Sequence, residues 1–93
     1  MNNQPQQIGV NANADDLKGR FSNAAQVSHQ DDHFILDFFV AALPAGQLVS
    51  RVIVTPKHMK ALEKAISDQL KNYENQFGKI DASEDKAIGF RTS

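Results

Sequence analysis

The stretch from Leu48 to Gly78 constrains the fold more than any other part of the chain. Apolar and polar residues alternate from Leu48 to Thr55, which is typical of a β-strand. Thr55 is a favoured residue at a helix N-cap, and Pro56 fits the first helical position, where its missing N–H is not needed. The sequence therefore predicts a strand that passes directly into a helix.

The residues after Pro56 predict one long amphipathic helix. Apolar side chains recur at spacings of three and four residues and so form one stripe along the helix, with charged and polar residues on the other side. Gly78 follows the last apolar residue of the stripe and provides a left-handed helix end. We therefore expect a helix from Pro56 to Phe77. The apolar stripe consists of Met59, Leu62, Ile66, Leu70, Tyr73 and Phe77.

More strands are predicted before this helix. The strongest is His33–Ala42, in which both faces are apolar apart from Asp37, so we expect it to be covered on both sides. Arg20–His29 reads as a half-buried strand, and Ile8–Ala12 gives a weak strand signal. Between them, Asn13–Gly19 is a cluster of turn-forming residues that includes a possible short helical turn.

A turn centred near Pro44 would pair the two best strands antiparallel, with Asp37 opposite Arg51 and Ile35 opposite Ile53. The two charges inside these strands would then neutralise each other across the sheet. Asp37 could instead be a catalytic acid or base with a raised pKa. The structural role is the preferred interpretation, because Arg51 is available in the expected place.

The predicted fold class is α+β, an antiparallel β-meander of three to four strands with the long C-terminal helix packed on one face. We expect a disordered arm at 1–7, a single domain at 8–80 and a flexible tail at 81–93. A chain of 93 residues without cysteine has a small core and no disulfides to support it, so a homodimer or higher oligomer is expected. The predicted oligomer or partner interface comprises the second sheet face and the end of the helix: Ile35, Asp37, Phe39, Val49, Arg51, Ile53, Tyr73 and Phe77.

The charge balance argues against a general nucleic-acid or anionic-membrane binder, because the net charge is -1 and the pI about 6.2. A weaker alternative is a nucleic-acid face on the helix, formed by Lys57, Lys60, Lys64 and Lys71, although acidic residues interrupt it. Neither a signal peptide nor a membrane span is recognisable, so a cytoplasmic location is expected.

Two histidines, His29 and His33, flank the acidic turn that holds Asp32. Imidazole and carboxylate groups suit zinc and other divalent ions, so a metal-dependent enzyme is a third hypothesis. An ordinary polar hairpin turn explains the same residues and is preferred. The chain has no nucleophile–base pattern, phosphate loop or dinucleotide fingerprint, and we expect neither a cofactor nor an enzymatic activity.

Several motifs occur in an order that resembles a known family. They are FSN at Phe21–Asn23, FILDF at Phe34–Phe38, Pro44, SRVIVTPKHMKAL at Ser50–Leu62 and YENQFGKI at Tyr73–Ile80. The chain resembles, over Ile8–Ile80, a family of small bacterial proteins catalogued as a domain of unknown function, family 3467.

The resemblance implies a strand–strand–strand–helix domain that ends near Ile80, and it implies no activity. Residues that match the family pattern are Asp37, Arg51, Thr55, Pro56, His58, Tyr73 and Glu74. From the sequence, the leading hypothesis is therefore a non-enzymatic interaction module: an oligomeric scaffold, adaptor or regulatory subunit that binds itself and another protein. Holding unfolded chains, as a chaperone does, is compatible with the same surface.

Overall fold

A computed structural model describes residues 7–81. The order of elements is α1 (Ala14–Lys18), β1 (Ala24–His29), β2 (Phe34–Val40), β3 (Gln47–Val54) and α2 (Pro56–Phe77). The strands form one antiparallel sheet in the order β1-β2-β3, followed by the long helix. The α+β prediction is therefore confirmed, with three strands in the described part of the chain. The predicted arm and tail lie outside the described residues, apart from Gln7 and Asp81.

The register of the central hairpin is the predicted one. Asp37 lies opposite Arg51, and Ile35 opposite Ile53. A β-bulge then interrupts the ladder, because Phe38 pairs with Ser50 whereas Phe39 pairs with Leu48. In a bulge two residues of one strand face a single residue of the other.

The bulge corrects the predicted faces of β3. Alternation through the whole strand would put Val49 on the same face as Arg51 and Ile53. With Val49 as the extra residue of the bulge, the partner of Phe39 in the ladder is Leu48 instead. Pairing partners share a face of an antiparallel sheet, so Leu48 replaces Val49 in the alternating row.

Two strand predictions near the N-terminus are wrong. Residues 8–12 form no strand, and Ile8 and Val10 are exposed. The first strand begins at Ala24 and not at Arg20, and Phe21, which lies before it, is 72% exposed. A strand gains stability from cross-strand packing more than from its own sequence, and these residues find no such neighbour.

Side chains take the place of a longer β1. The Ser22 hydroxyl donates to the Phe39 carbonyl at 2.9 Å. The amide side chain of Asn23 accepts from the Ala41 N–H at 2.6 Å and donates to the Ala41 carbonyl at 3.2 Å. These bonds tie the chain before β1 to the end of β2. They give the FSN motif a structural role that its sequence alone did not reveal.

The predicted turn at 13–19 contains the short helix α1. Asn13 is its N-cap and accepts from the Asp16 N–H at 2.8 Å, while the Asp16 carboxylate accepts from the Asn13 N–H at 3.3 Å. This reciprocal pair is a capping box. The helical-turn alternative for this segment is therefore the correct one.

The long helix α2 has the predicted bounds, Pro56–Phe77. The Thr55 hydroxyl accepts from the His58 N–H at 3.1 Å and so caps the first turn. At the other end Gly78 has a φ of 99°, which favours glycine, and its N–H donates to the Glu74 carbonyl at 2.9 Å. Local sequence alone is enough to start and stop this helix.

Replacing the N-cap should weaken the domain measurably. Thr55→Ala removes the acceptor for the His58 N–H and is expected to lower the free energy of unfolding by about 1 kcal/mol. Thr55→Ser keeps a hydroxyl and should retain most of the stability. Urea unfolding at one fixed protein concentration compares the three chains. Equal midpoints for Thr55→Ala and wild type would contradict the capping role.

Candidate interaction surface

The helix lies over one face of the sheet but leaves an open groove of about 870 Å³. This is a large space for so small a domain, since ligand pockets span about 300–1,000 Å³. The sheet side of the groove consists of Ala25, Val27, Phe34, Leu36 and Phe38. The helix side brings the apolar stripe, from Met59 to Leu70, with Lys60, Glu63 and Ser67 beside it. The prediction that the helix covers this face is thus met only in part, because the helix does not close onto it.

Exposure of the apolar stripe increases along α2. Met59 and Leu62 are half-buried near the start of the helix, whereas Ile66 and Leu70 are 53% and 47% exposed. Phe77, at the far end, is 66% exposed. No residue of α2 is buried. The apolar side of α2 is therefore partly covered only in the first turns, and most of the rest is exposed in the described part of the chain.

The end of α2 carries a small apolar cluster. The rings of Tyr73 and Phe77 lie 5.0 Å apart and are tilted by 48°, a favourable arrangement for two aromatic side chains. The chain then folds back, because the Ile80 N–H donates to the Glu74 carboxylate at 2.9 Å. Glu74, one of the residues that match the family pattern, thus has a structural role at the end of the helix. Tyr73 and Ile80 line a second, more open recess of about 450 Å³ along the helix, together with Leu70.

The other sheet face centres on an ion pair. Arg51 donates to both oxygens of Asp37, from Nε to Oδ1 at 2.7 Å and from Nη2 to Oδ2 at 2.9 Å. These hydrogen bonds hold the pKa of the Asp37 carboxyl below its ordinary value, against the desolvation that would raise it. A lowered pKa keeps the group ionised at neutral pH. Asp37 is therefore a structural partner of Arg51, and its chemistry does not resemble that of a raised-pKa general acid.

The interface residues predicted for this second face differ in how far their side chains are exposed to solvent. Asp37 and Phe39 are only 5% and 6% exposed, so they have little surface to offer a partner. Ile35 and Val49 are half-buried. Ile53 is 63% exposed, and about half of the Arg51 side chain is accessible. On the helix side, Val27, Ile66 and Leu70 are exposed apolar side chains that line the groove.

The four lysines of the possible nucleic-acid face have different surroundings. Lys64 pairs with Asp68 at 2.9 Å, and Lys60 lies at the edge of the groove. Lys57 and Lys71 are exposed. The four charges therefore do not form one uninterrupted basic surface, and the nucleic-acid hypothesis gains no specific support.

The histidines are dispersed. The Nδ1 atom of His33 lies 2.6 Å from the Asp32 carboxylate, while the ring of His29 packs near Phe34 at a centroid distance of 5.6 Å. His58 contributes its backbone N–H to the Thr55 cap. Within residues 7–81, no group of three or more metal-ligating side chains converges. The hairpin-turn interpretation accounts for the contacts of His29 and His33.

Sequence reasoning missed the sheet side of the groove and the flank of α2 that faces it. Periodicity identifies the apolar stripe but not the distance between the stripe and the sheet. In the structure Ser67 is half-buried on an otherwise exposed part of the helix. A polar row at a spacing of three and four residues beside an apolar stripe is the signal that could have found this flank.

A family model described as "Protein of unknown function (DUF3467)" matches residues 1–82. The chain belongs to the DUF3467 family. The matched residues include those of the groove, the ion pair and the aromatic cluster, so all three lie within the DUF3467 domain of this chain. Searches of the curated proteins and of the solved structures returned no match. Among residues 7–81, no helix is both long and apolar enough to cross a membrane.

A charge swap should test the role of the ion pair in this DUF3467 domain. Asp37→Arg places two cations face to face in the middle of the sheet, and Arg51→Asp places two anions there, so each should lower the melting temperature. The double variant Asp37→Arg/Arg51→Asp restores opposite charges and should recover much of the loss. Thermal unfolding at one protein concentration measures all four chains. A double variant no more stable than the singles would show that the pairing does not hold the register.

Proposed function

We propose that the chain is a non-enzymatic protein-interaction module, an oligomeric scaffold, adaptor or regulatory subunit that binds itself and a further protein. One observation carries the proposal: the groove of about 870 Å³ between α2 and the sheet has apolar walls that no part of residues 7–81 fills. Burying apolar surface is the main driving force of protein association.

The extent of the uncovered surface supports binding of a macromolecule. Monomeric proteins rarely expose contiguous apolar patches larger than a few hundred Å². Here the groove continues into the exposed side chains of Leu70, Tyr73 and Phe77 at the end of the helix. A partner that covers this surface completes a core to which the chain alone contributes only Leu36, Phe39 and Val54 as buried apolar residues within the described part.

The proposal includes a bacterial origin and a cytoplasmic setting, where a chain without cysteine needs no disulfides. Self-association comes first, because it protects the apolar surface as soon as the chain is made. A further protein then binds the oligomer. Groove surfaces left uncovered would also hold unfolded segments of other chains, which is the chaperone-like version of the same function.

A charge placed on the apolar surface should disrupt the oligomer. We expect the wild-type chain to be larger than a monomer at micromolar concentration, and Phe77→Glu to shift it towards the monomer because an ionised carboxylate resists burial. Asn75→Glu adds a charge to the same helix end but away from the stripe, and should leave the mass unchanged. Size-exclusion chromatography with light scattering measures all three. A wild-type chain that is monomeric throughout this range would overturn the proposal.

The same variants identify a further partner. A protein that binds the apolar surface co-purifies with wild type and with Asn75→Glu but not with Phe77→Glu. Co-purification that is equal for all three chains would place the partner elsewhere on the molecule.

A further inference from the structure

One flank of α2 carries charges arranged symmetrically about its centre, so that residues equally far from the centre on either side have opposite charges. Lys60, Glu63, Ser67, Lys71 and Glu74 follow one another at spacings of three, four, four and three residues, so they lie along one side of the helix, next to the apolar stripe. Ser67 is the centre of this row, which we term the charged flank. Lys60, Glu63 and Ser67 also line the groove, so the first part of the charged flank borders it.

A two-fold axis through Ser67 would make use of this pattern. A two-fold interface brings the same surface of both copies together, with residue i against j and j against i. With the axis perpendicular to the helix, a second α2 runs antiparallel beside the first, and residues equally far from Ser67 meet. Lys60 of one copy then faces Glu74 of the other, and Glu63 faces Lys71. Every charge of the row meets an opposite charge, and the small Ser67 allows close approach at the axis.

A parallel pair would not give this complementarity. In a parallel two-fold arrangement each residue of the flank meets its own copy, so Lys60 would face Lys60 and Glu63 would face Glu63. Like charges at such distances repel and so disfavour the pair. The order of charges therefore selects the antiparallel direction.

The antiparallel arrangement also fills the groove. Phe77 is ten residues beyond Ser67, and Lys57 is ten residues before it, so Phe77 of the second copy reaches the level of the first turn of α2. The sheet side of the groove includes Phe34, which pairs with Val54, two residues before α2, and so lies near the start of the helix. The exposed aromatic cluster of one copy is thereby laid over the uncovered sheet of the other.

The uncovered area is of the right order for such a pair. Tyr73 and Phe77 are 50% and 66% exposed, and aromatic side chains bury about 150–250 Å² each when fully covered. The two rings alone would therefore contribute roughly 200 Å² per copy, against about 800 Å² per partner in a standard interface. The groove walls, Ile66 and Leu70 provide apolar surface for the remainder.

We propose that the groove is occupied by the C-terminal half of α2 from a second copy of this chain, with the two helices antiparallel about a two-fold axis at Ser67. The proposal rests on the self-association set out under Proposed function and adds its surface, direction and register. It makes the charged flank, and not the second sheet face, the specificity-determining part of the interface.

Two variants with opposite charge changes test it. Lys60→Glu/Lys71→Glu makes the flank wholly acidic, and Glu63→Lys/Glu74→Lys makes it wholly basic. Each alone replaces four attractive contacts of the pair by repulsive ones, so we expect the dimer dissociation constant to rise at least about tenfold. An equimolar mixture should form a heterodimer, because every contact is then attractive again. Recovery in the mixture also shows that both variants are folded.

The matched control is Lys18→Glu/Lys57→Glu, which changes the net charge as much as the acidic variant but at one residue of α1 and at one residue of α2 outside the charged flank. It should dissociate like wild type in sedimentation-equilibrium measurements at low salt. Acidic and basic variants that each dimerise as tightly as wild type would overturn the antiparallel flank interface while leaving self-association intact. A monomeric wild-type chain would overturn both proposals.

Discussion

The direct junction between β3 and α2 is the constraint on which the rest of this structure depends. Thr55 caps the helix within one residue of the last strand residue, Val54, so α2 leaves the sheet without a loop that could bring it down onto the face. In its first turns Met59 and Leu62 are half-buried and line the groove. Beyond them the apolar stripe becomes exposed, and the groove opens between helix and sheet. An amphipathic helix gains most of its stability from burying its apolar face. The second half of α2 therefore keeps an apolar side that the sheet does not bury.

The sheet beneath the helix is held in register by a different interaction. Asp37 on the central strand and Arg51 on β3 form two hydrogen bonds, and a shift of one residue in either strand would break both and leave a buried carboxylate unpaired. The bulge at Val49 lies two residues from Arg51, so the register changes only beyond the ion pair. The ion pair thus fixes which side chains form the groove floor. Through this register Asp37 positions Leu36 and Phe38 on the opposite face, at the groove.

Much of this fold could be predicted from local signals. Thr55, Pro56 and Gly78 are enough to bound α2, and the two opposite charges at Asp37 and Arg51 are enough to set the hairpin register. The weak alternation at residues 8–12 predicted a strand that does not form, because alternation cannot show whether a neighbouring strand is available. The start of β1 was misplaced because Ser22 and Asn23 bond the backbone with their side chains instead of extending the ladder.

The interaction surface was harder to predict, for a physical reason. The stripe from Met59 to Phe77 is visible in the sequence, and Tyr73 and Phe77 were expected at an interface. Whether a stripe packs on its own sheet or on another chain depends on the angle at which the helix leaves the sheet, which no periodicity encodes. The charged flank around Ser67 is recognisable as part of a surface only once the groove beside it is known.

Distances between two copies of the chain test the central claim most directly. The sequence contains no cysteine, so single cysteines at Lys57, Lys64 and Asn75 can each carry one spin label for pulsed electron paramagnetic resonance. In an antiparallel pair about Ser67, the distance between the two labels grows by about 3 Å for each residue of separation from Ser67, since each helix rises about 1.5 Å per residue. The account predicts a short distance at Lys64 and longer ones at Asn75 and Lys57, in that order. Equal distances at all three positions, or no dipolar coupling at any of them, would contradict it.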